Sequence, residues 1–155
     1  NGEHILDIPC GSGYYADFIV EAGANVYGVD LSPEMIAVFQ KKGYNGEVGN
    51  LETFSLGRKF DKVLSAGGFE FCKNHKKIID TLLSHTKVGG TIILLLPRKS
   101  PFGYLYKTYH KLCNKTDIVL FSERDVVTLC TQDYINSLQL HKCSLFSLLV
   151  RIERK

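Results

Sequence analysis

Hydrophobic and polar positions along the first hundred residues alternate between two rhythms. "HILDI" (4–8) is an apolar run of strand length, a glycine-containing turn follows, and then Ala16, Phe18, Ile19 and Ala22 recur at helical spacing until Gly23. "NVYGVD" (25–30) predicts a second strand. Ser32 and Pro33 read as the cap and first residue of a helix whose buried stripe would be Met35, Ile36, Val38 and Phe39, closing at Gly43. A weak third strand is expected near Glu47 to Gly49, and a fourth at "FDKVLSAG" (60–67). Ile78, Ile79, Leu82 and Leu83 give a helix between His75 and Thr86, and "KVGG" then turns the chain into "TIILLLP" (91–97). So continuous an apolar run fits a central parallel strand covered on both faces.

The last third keeps a different rhythm. From Pro97 to Leu120 the chain is aromatic and basic with no single helical stripe, Ser122 then caps a helix running to about Cys130, and "YINSLQLHKC" and "LFSLLVRIER" follow as two strands. Strands that close together can only be antiparallel neighbours, because a parallel crossover needs a dozen or more residues. The expected fold is therefore α/β: a doubly wound, mostly parallel seven-stranded sheet flanked by helices, ending in a C-terminal antiparallel hairpin.

Composition narrows the class. The 155 residues are 45% hydrophobic with dispersed glycine and proline, which suits one domain over residues 1–155 with its own core. The chain opens on Asn1 almost directly before the first strand, so an upstream segment is expected to be missing. No apolar run approaches the ~20 residues that span a bilayer. The five scattered cysteines contain no C-x-x-C pair and read as reduced thiols of a cytoplasmic protein that holds no metal. A net charge of +3, spread among alternating signs, carries no clear nucleic-acid signature, and the one basic cluster, "KNHKK" (73–77), reads as a solvated helix start.

Chemistry concentrates in "LDIPCGSGYYA" (6–16). Gly11, Gly13 and Ala16 satisfy G-x-G-x-x-[GA] between a strand and a helix, and Asp30, at the end of the second strand, is placed to accept the ribose hydroxyls of an adenosine cofactor. Asp7 distinguishes among such cofactors. It lies at the carboxyl end of the first strand, where a pyrophosphate would meet a like charge but an ammonium or sulfonium group would meet an opposite one.

With both acids in register, "ILDIPCGSGYYADFIVEAGANVYGVDLSPEMI" resembles the first two cofactor motifs of the class I S-adenosylmethionine-dependent methyltransferases. "EVGNLETF", "FDKVLSAGGFEF" and "KVGGTIILLLP" resemble that family's third motif, fourth strand and fifth strand, so the likeness covers about residues 3–97. The resemblance implies that Asp7 lies near the methionine amino group and that the backbone of Cys10, Gly11 and Gly13 borders the methionine and ribose. It implies that Asp30 holds the ribose hydroxyls, that Leu31 and Met35 pack on the adenine, and that Asn50 and Leu51 meet the adenine edge. Ser65, Ala66 and Gly67 would border the transferring methyl group. The chain departs from the family at Pro9, which replaces the first glycine of the turn and removes an N–H donor, and at Asn50, where the family usually carries aspartate.

The resemblance implies methyl transfer from S-adenosylmethionine. Cys10 reads as a packing residue and Met35 as core. A histidine at a helix start, as at His75, is by default a surface residue. If the acceptor needs a general base, His110, Tyr104 and His75 are the candidates. "SAGGFEF" matches none of the turns by which relatives methylate base amines, cytosine carbon or arginine, which leaves a metabolite or lipid-like small molecule as acceptor. Two alternatives stay open: a cofactor-binding module without transfer, and an NAD-dependent oxidoreductase, which Asp7 and the closing hairpin disfavour.

Overall fold

A computed structural model describes residues 2–155. β1 (His4–Asp7), β2 (Asn25–Asp30), β3 (Asn45–Val48), β4 (Phe60–Ala66) and β5 (Thr86–Pro97) run parallel, and β6 (Ile135–Lys142) and β7 (Ser147–Arg154) complete a sheet of order β3-β2-β1-β4-β5-β7-β6. β7 lies between β5 and β6 and is antiparallel to both, as the hairpin in the sequence requires. The strand order reverses between β1 and β4. In an open α/β sheet that reversal leaves a crevice beyond the carboxyl ends of the two strands, the usual place for a ligand.

Two apolar clusters hold the frame. The larger joins Leu6, Val63, Ile92, Leu94 and Ile152 of the sheet, with Ile8 just beyond β1, to Ile78, Ile79 and Leu82 of α3 (His75–Ser84). The smaller, Cys10, Ala16, Ile36 and Phe39, locks α1 (Tyr14–Glu21) and α2 (Pro33–Lys41) against β2. Contact there is close enough to require glycine at 28, where a Cβ would come within 2.5 Å of the Phe39 ring and 2.7 Å of Cys10 Sγ.

Several expectations are corrected. In α2 only Ile36 and Phe39 are buried; Met35 and Val38 are each 42% exposed, so Met35 is not core. In α1 only Ala16 is buried, and Phe18 faces solvent. β3 begins two residues earlier than expected and ends one earlier, as an edge strand whose pairing with β2 supplies order that its polar sequence does not advertise. "KVGG" belongs to β5, although residues 87–90 fall in the register shift between the Phe60–Thr86 and Lys62–Thr91 pairs. The aromatic segment contains α4 (Pro101–Cys113), capped by the Ser100 side chain, which accepts from the Gly103 N–H. α5 (Glu123–Leu129) opens with the expected Ser122, in a reciprocal box with Asp125. Among the described residues no helix is long and apolar enough to cross a membrane.

Candidate active site

The turn after β1 is built by backbone hydrogen bonds. Cys10 N–H donates to Val29 O at 2.9 Å and Gly13 N–H to Cys10 O at 3.0 Å, drawing the loop against β2. Gly11 (φ 51°) and Gly13 (φ 86°) occupy the left-handed region, which glycine adopts without Cβ strain. The peptide between Ile8 and Pro9 is cis. Gly13 also caps α1, whose N-terminal turn receives no side-chain cap.

Two carboxylates flank this turn. Asp30 Oδ2 accepts from Gly11 N–H at 2.8 Å and Oδ1 from Ser32 N–H at 2.9 Å, so the end of β2 holds both the glycine turn and the start of α2. Each oxygen keeps a lone pair for a further donor. Asp7 has no such support. It is fully buried, neither carboxylate oxygen has a hydrogen-bond partner among the described residues, and burial together with the nearby Asp30 charge pushes its carboxyl up to about 7. Burial pushes the Cys10 thiol up to about 12, with the Asp7 and Asp30 charges adding to it; this thiol packs rather than reacts.

Two cavities open along the crevice. The first, about 470 Å³, is walled by Pro9, Leu31, Asn50, Leu51, Gly68 and Cys72 among others. The second, about 250 Å³, lies beyond the ends of β4 and β5 and is lined by Ala66, Gly67, Glu70 and Tyr15, with Tyr106 of α4 and Ser147 of β7. The Gly67–Gly68 pair stands between them, one residue on each side. Gly68 has φ 148°, and a Cβ there would come within 2.4 Å of Pro9 Cγ, so the loop after β4 lies directly on the loop after β1.

Leu31, Asn50 and Leu51 thus share the first cavity, Ala66 and Gly67 border the second, and Cys10, Gly11 and Gly13 form the turn between β1 and α1, held by Asp30 at the end of β2. Met35 lines neither cavity and projects to solvent from the first turn of α2. Ser65, expected to border the transferring methyl group, is 1% exposed in β4, and its Oγ has no hydrogen-bond partner among the described residues. Asn50 Oδ1 accepts from Glu52 N–H at 2.8 Å, so its oxygen is already engaged in the local turn.

None of the three candidate bases lines either cavity. The His75 ring stacks on Phe69 with centroids 5.1 Å apart, meets Phe121 edge-on, and bonds Phe69 O through Nε2 at 3.1 Å. Burial holds its pKa below the ordinary imidazole value, and it is half-buried rather than a surface residue. His110 packs against Tyr106 and bonds Asn114, and Tyr104 is exposed. Two acids do line a cavity: at the first, Glu52, whose Oε1 accepts from the Lys73 and Asn74 N–H groups, and at the second, Glu70, which sequence reasoning passed over. Its signal was faint: one charge inside "GGFEF", three residues beyond a glycine already placed at the site.

The methyltransferase domain profile matches residues 6–94. The chain is 32% identical over 119 residues to demethylmenaquinone methyltransferase of Thermus thermophilus, covering 69% of this chain and 54% of that protein. It is 30% identical over 97 residues to malonyl-[acyl-carrier protein] O-methyltransferase 2 of Ilyobacter polytropus, covering 58% of this chain and 38% of that one. The chain spans about a third to a half of the length of the curated relatives it matches. In fold it is similar to magnesium protoporphyrin IX methyltransferase from Synechocystis, solved with bound SAH, with TM-score 0.78 and 21% identity over 99% of this chain and 75% of the other.

Proposed function

The chain belongs to the methyltransferase domain family of class I S-adenosylmethionine-dependent enzymes, and from that premise we propose that it transfers the methyl group of S-adenosylmethionine to a small-molecule acceptor. One observation carries the reading: Asp7 is a buried carboxylate at the head of a glycine turn, with no hydrogen-bond partner among the described residues. A buried charge without a partner costs several kcal/mol, about enough to favour protonation over ionisation near neutral pH, unless a cation completes it. S-adenosylmethionine offers an ammonium group of the required sign and size, whereas a dinucleotide would bring a pyrophosphate toward the same acid.

The remaining residues fit the rest of that cofactor. Asp30, steadied by two backbone N–H groups, has lone pairs free for ribose hydroxyls. Leu31, Leu51 and Pro9 give the first cavity the apolar walls that suit an adenine ring. The uncapped N-terminus of α1 suits the carboxylate of the methionine tail. When bound, the cofactor supplies a methyl group on a sulfonium, open to in-line displacement. The contribution of the protein is then alignment and exclusion of water, which needs neither a metal nor a triad.

Calorimetric titration with S-adenosylmethionine, S-adenosylhomocysteine (SAH) and NAD tests the reading. The first two are expected to bind and NAD not; binding of NAD alone overturns it. A second reading, a cofactor-binding module without transfer, draws on the failure of His75, His110 and Tyr104 to line either cavity. Cofactor binding with no SAH release across a panel of small phenols, amines and carboxylic acids favours that reading.

A further inference from the structure

Glu70 is 4% exposed, yet lines the second cavity. It belongs to the short 3₁₀ turn Phe69–Phe71, and two ties fix it: Oε2 accepts from Gly68 N–H at 2.8 Å, and the Glu70 carbonyl accepts from Val119 N–H at 3.0 Å. Oε1 accepts no hydrogen bond among the described residues and is not sealed from solvent, which leaves it for whatever occupies the cavity. Around it stand Tyr15, Tyr106, Leu95, Pro97 and Phe146. Burial and the Glu70 charge both push the Tyr106 hydroxyl above the ordinary phenol value, which places that ring beside the acid. Tyr15, in the first turn of α1 directly after the glycine turn, brings the cavity close to the end of β1.

We propose that Glu70 is the acceptor-recognition residue of this site: Oε1 takes a hydrogen bond from an O–H or N–H nucleophile carried on a single-ring apolar body, and the cavity rejects acceptors that are themselves anionic there. This rests on the methyltransferase reading above. Volume sets the size, since about 250 Å³ falls below the ~300 Å³ at which pockets begin to take drug-sized ligands. Sign sets the class. A buried acid with a free oxygen gains from a donor, and in a low-dielectric site it repels a carboxylate or phosphate at close range. As the nucleophile took the methyl group, the methyl–sulfur bond would break with its electron pair left on sulfur, giving SAH; the O–H or N–H bond of the nucleophile would break with its pair left on oxygen or nitrogen, and the proton would bond to Oε1. Glu70 thereby fills the role for which His75, His110 and Tyr104 are misplaced.

Phenol, aniline and benzoate distinguish the outcomes, titrated by ligand-observed NMR into the SAH-saturated protein at neutral pH. Phenol and aniline are expected to bind and benzoate to bind at least about tenfold more weakly, as one charge-assisted hydrogen bond predicts. Glu70→Gln keeps an oxygen for Gly68 N–H; it is expected to weaken aniline several-fold and to raise benzoate affinity, with SAH affinity unchanged within about twofold. Tyr106→Ala, on an exposed helix and outside the lining of the first cavity, is expected to weaken all three rings while leaving SAH untouched. Equal binding of phenol and benzoate, no binding of phenol or aniline to the SAH-bound protein, or probe affinities indifferent to Glu70→Gln each overturn the proposal while sparing the methyltransferase reading. Failure of the wild-type chain to bind SAH overturns both.

Discussion

Asp7 and Asp30 end neighbouring strands, carry the same group, and are held in opposite ways. Asp30 is satisfied before any ligand arrives, with one backbone N–H on each oxygen. Asp7 is buried with no hydrogen-bond partner among the described residues, and burial with the Asp30 charge pushes its carboxyl up to about 7. The first is a brace that also offers lone pairs; the second is a group whose environment suits the protein only when a cation is present. Stability and affinity should therefore respond with opposite sign at one position and with the same sign at the other.

The sharpest way to break that contrast is Asp7→Asn. It is expected to weaken S-adenosylmethionine binding about a hundredfold, near the upper end of what a hydrogen bond to a charged group contributes. At pH 8 it should also raise the melting temperature of the ligand-free protein by about 2–4 °C for each kcal/mol of relieved desolvation. A variant that binds less well and melts no higher, measured by calorimetry and by thermal unfolding, would mean that Asp7 finds a partner in solution. Asp30→Ala comes next. Affinity should fall about ten- to hundredfold, but here the melting temperature falls as well, because the Gly11 and Ser32 N–H groups lose their acceptor.

Dependence on pH gives the same contrast without mutation. A carboxyl that titrates near 3.8 when unfolded and about 7 when folded binds its proton more tightly in the folded state, so ligand-free stability should decline as pH rises from about 4 through about 7 and then level off. Cofactor affinity should move the other way, falling as pH drops below about 7, because protonated Asp7 no longer attracts an ammonium group. Both slopes should be absent from Asp7→Asn and so appear in full in the difference between wild type and variant; a flat difference curve would place the Asp7 carboxyl in the ordinary range. The smallest effect belongs to Leu31→Ala. That side chain is 65% exposed at the rim of the first cavity, and its truncation should cost about two- to fivefold in affinity with no change in melting temperature.

What could be read in the sequence follows the same division between backbone and environment. Glycines at 11 and 13, the acids at 7 and 30 and the Ser32–Pro33 cap each act through local geometry, so their meaning is present in their spacing. The burial of Asp7 was not legible, since it depends on which neighbours fail to bond it. Periodicity failed wherever burial and hydropathy part company. Leu105, Tyr109 and Leu112 of α4 face solvent at 68%, 57% and 74% exposure, so the helix lacks the inward apolar stripe by which helices are recognised. Met35 and Val38 mislead in the same way, being apolar but exposed. Glu70 escaped because a charge in a short loop reads as solvated, and only the folding of α4 and the hairpin over it makes it an interior group.

The placement of β7 also sets an order of events. β6 precedes it in the chain, yet β6 touches the sheet only through β7, which alone reaches β5 along seven residue pairs. A growing chain therefore carries β6 unpaired until β7 has been made, and the two must dock as one hairpin. Any lesion that loosens β7 from β5 releases its neighbour as well, together with the Phe146 and Ser147 wall of the second cavity. One wall of the second cavity thus stands or falls with the docking of a single hairpin.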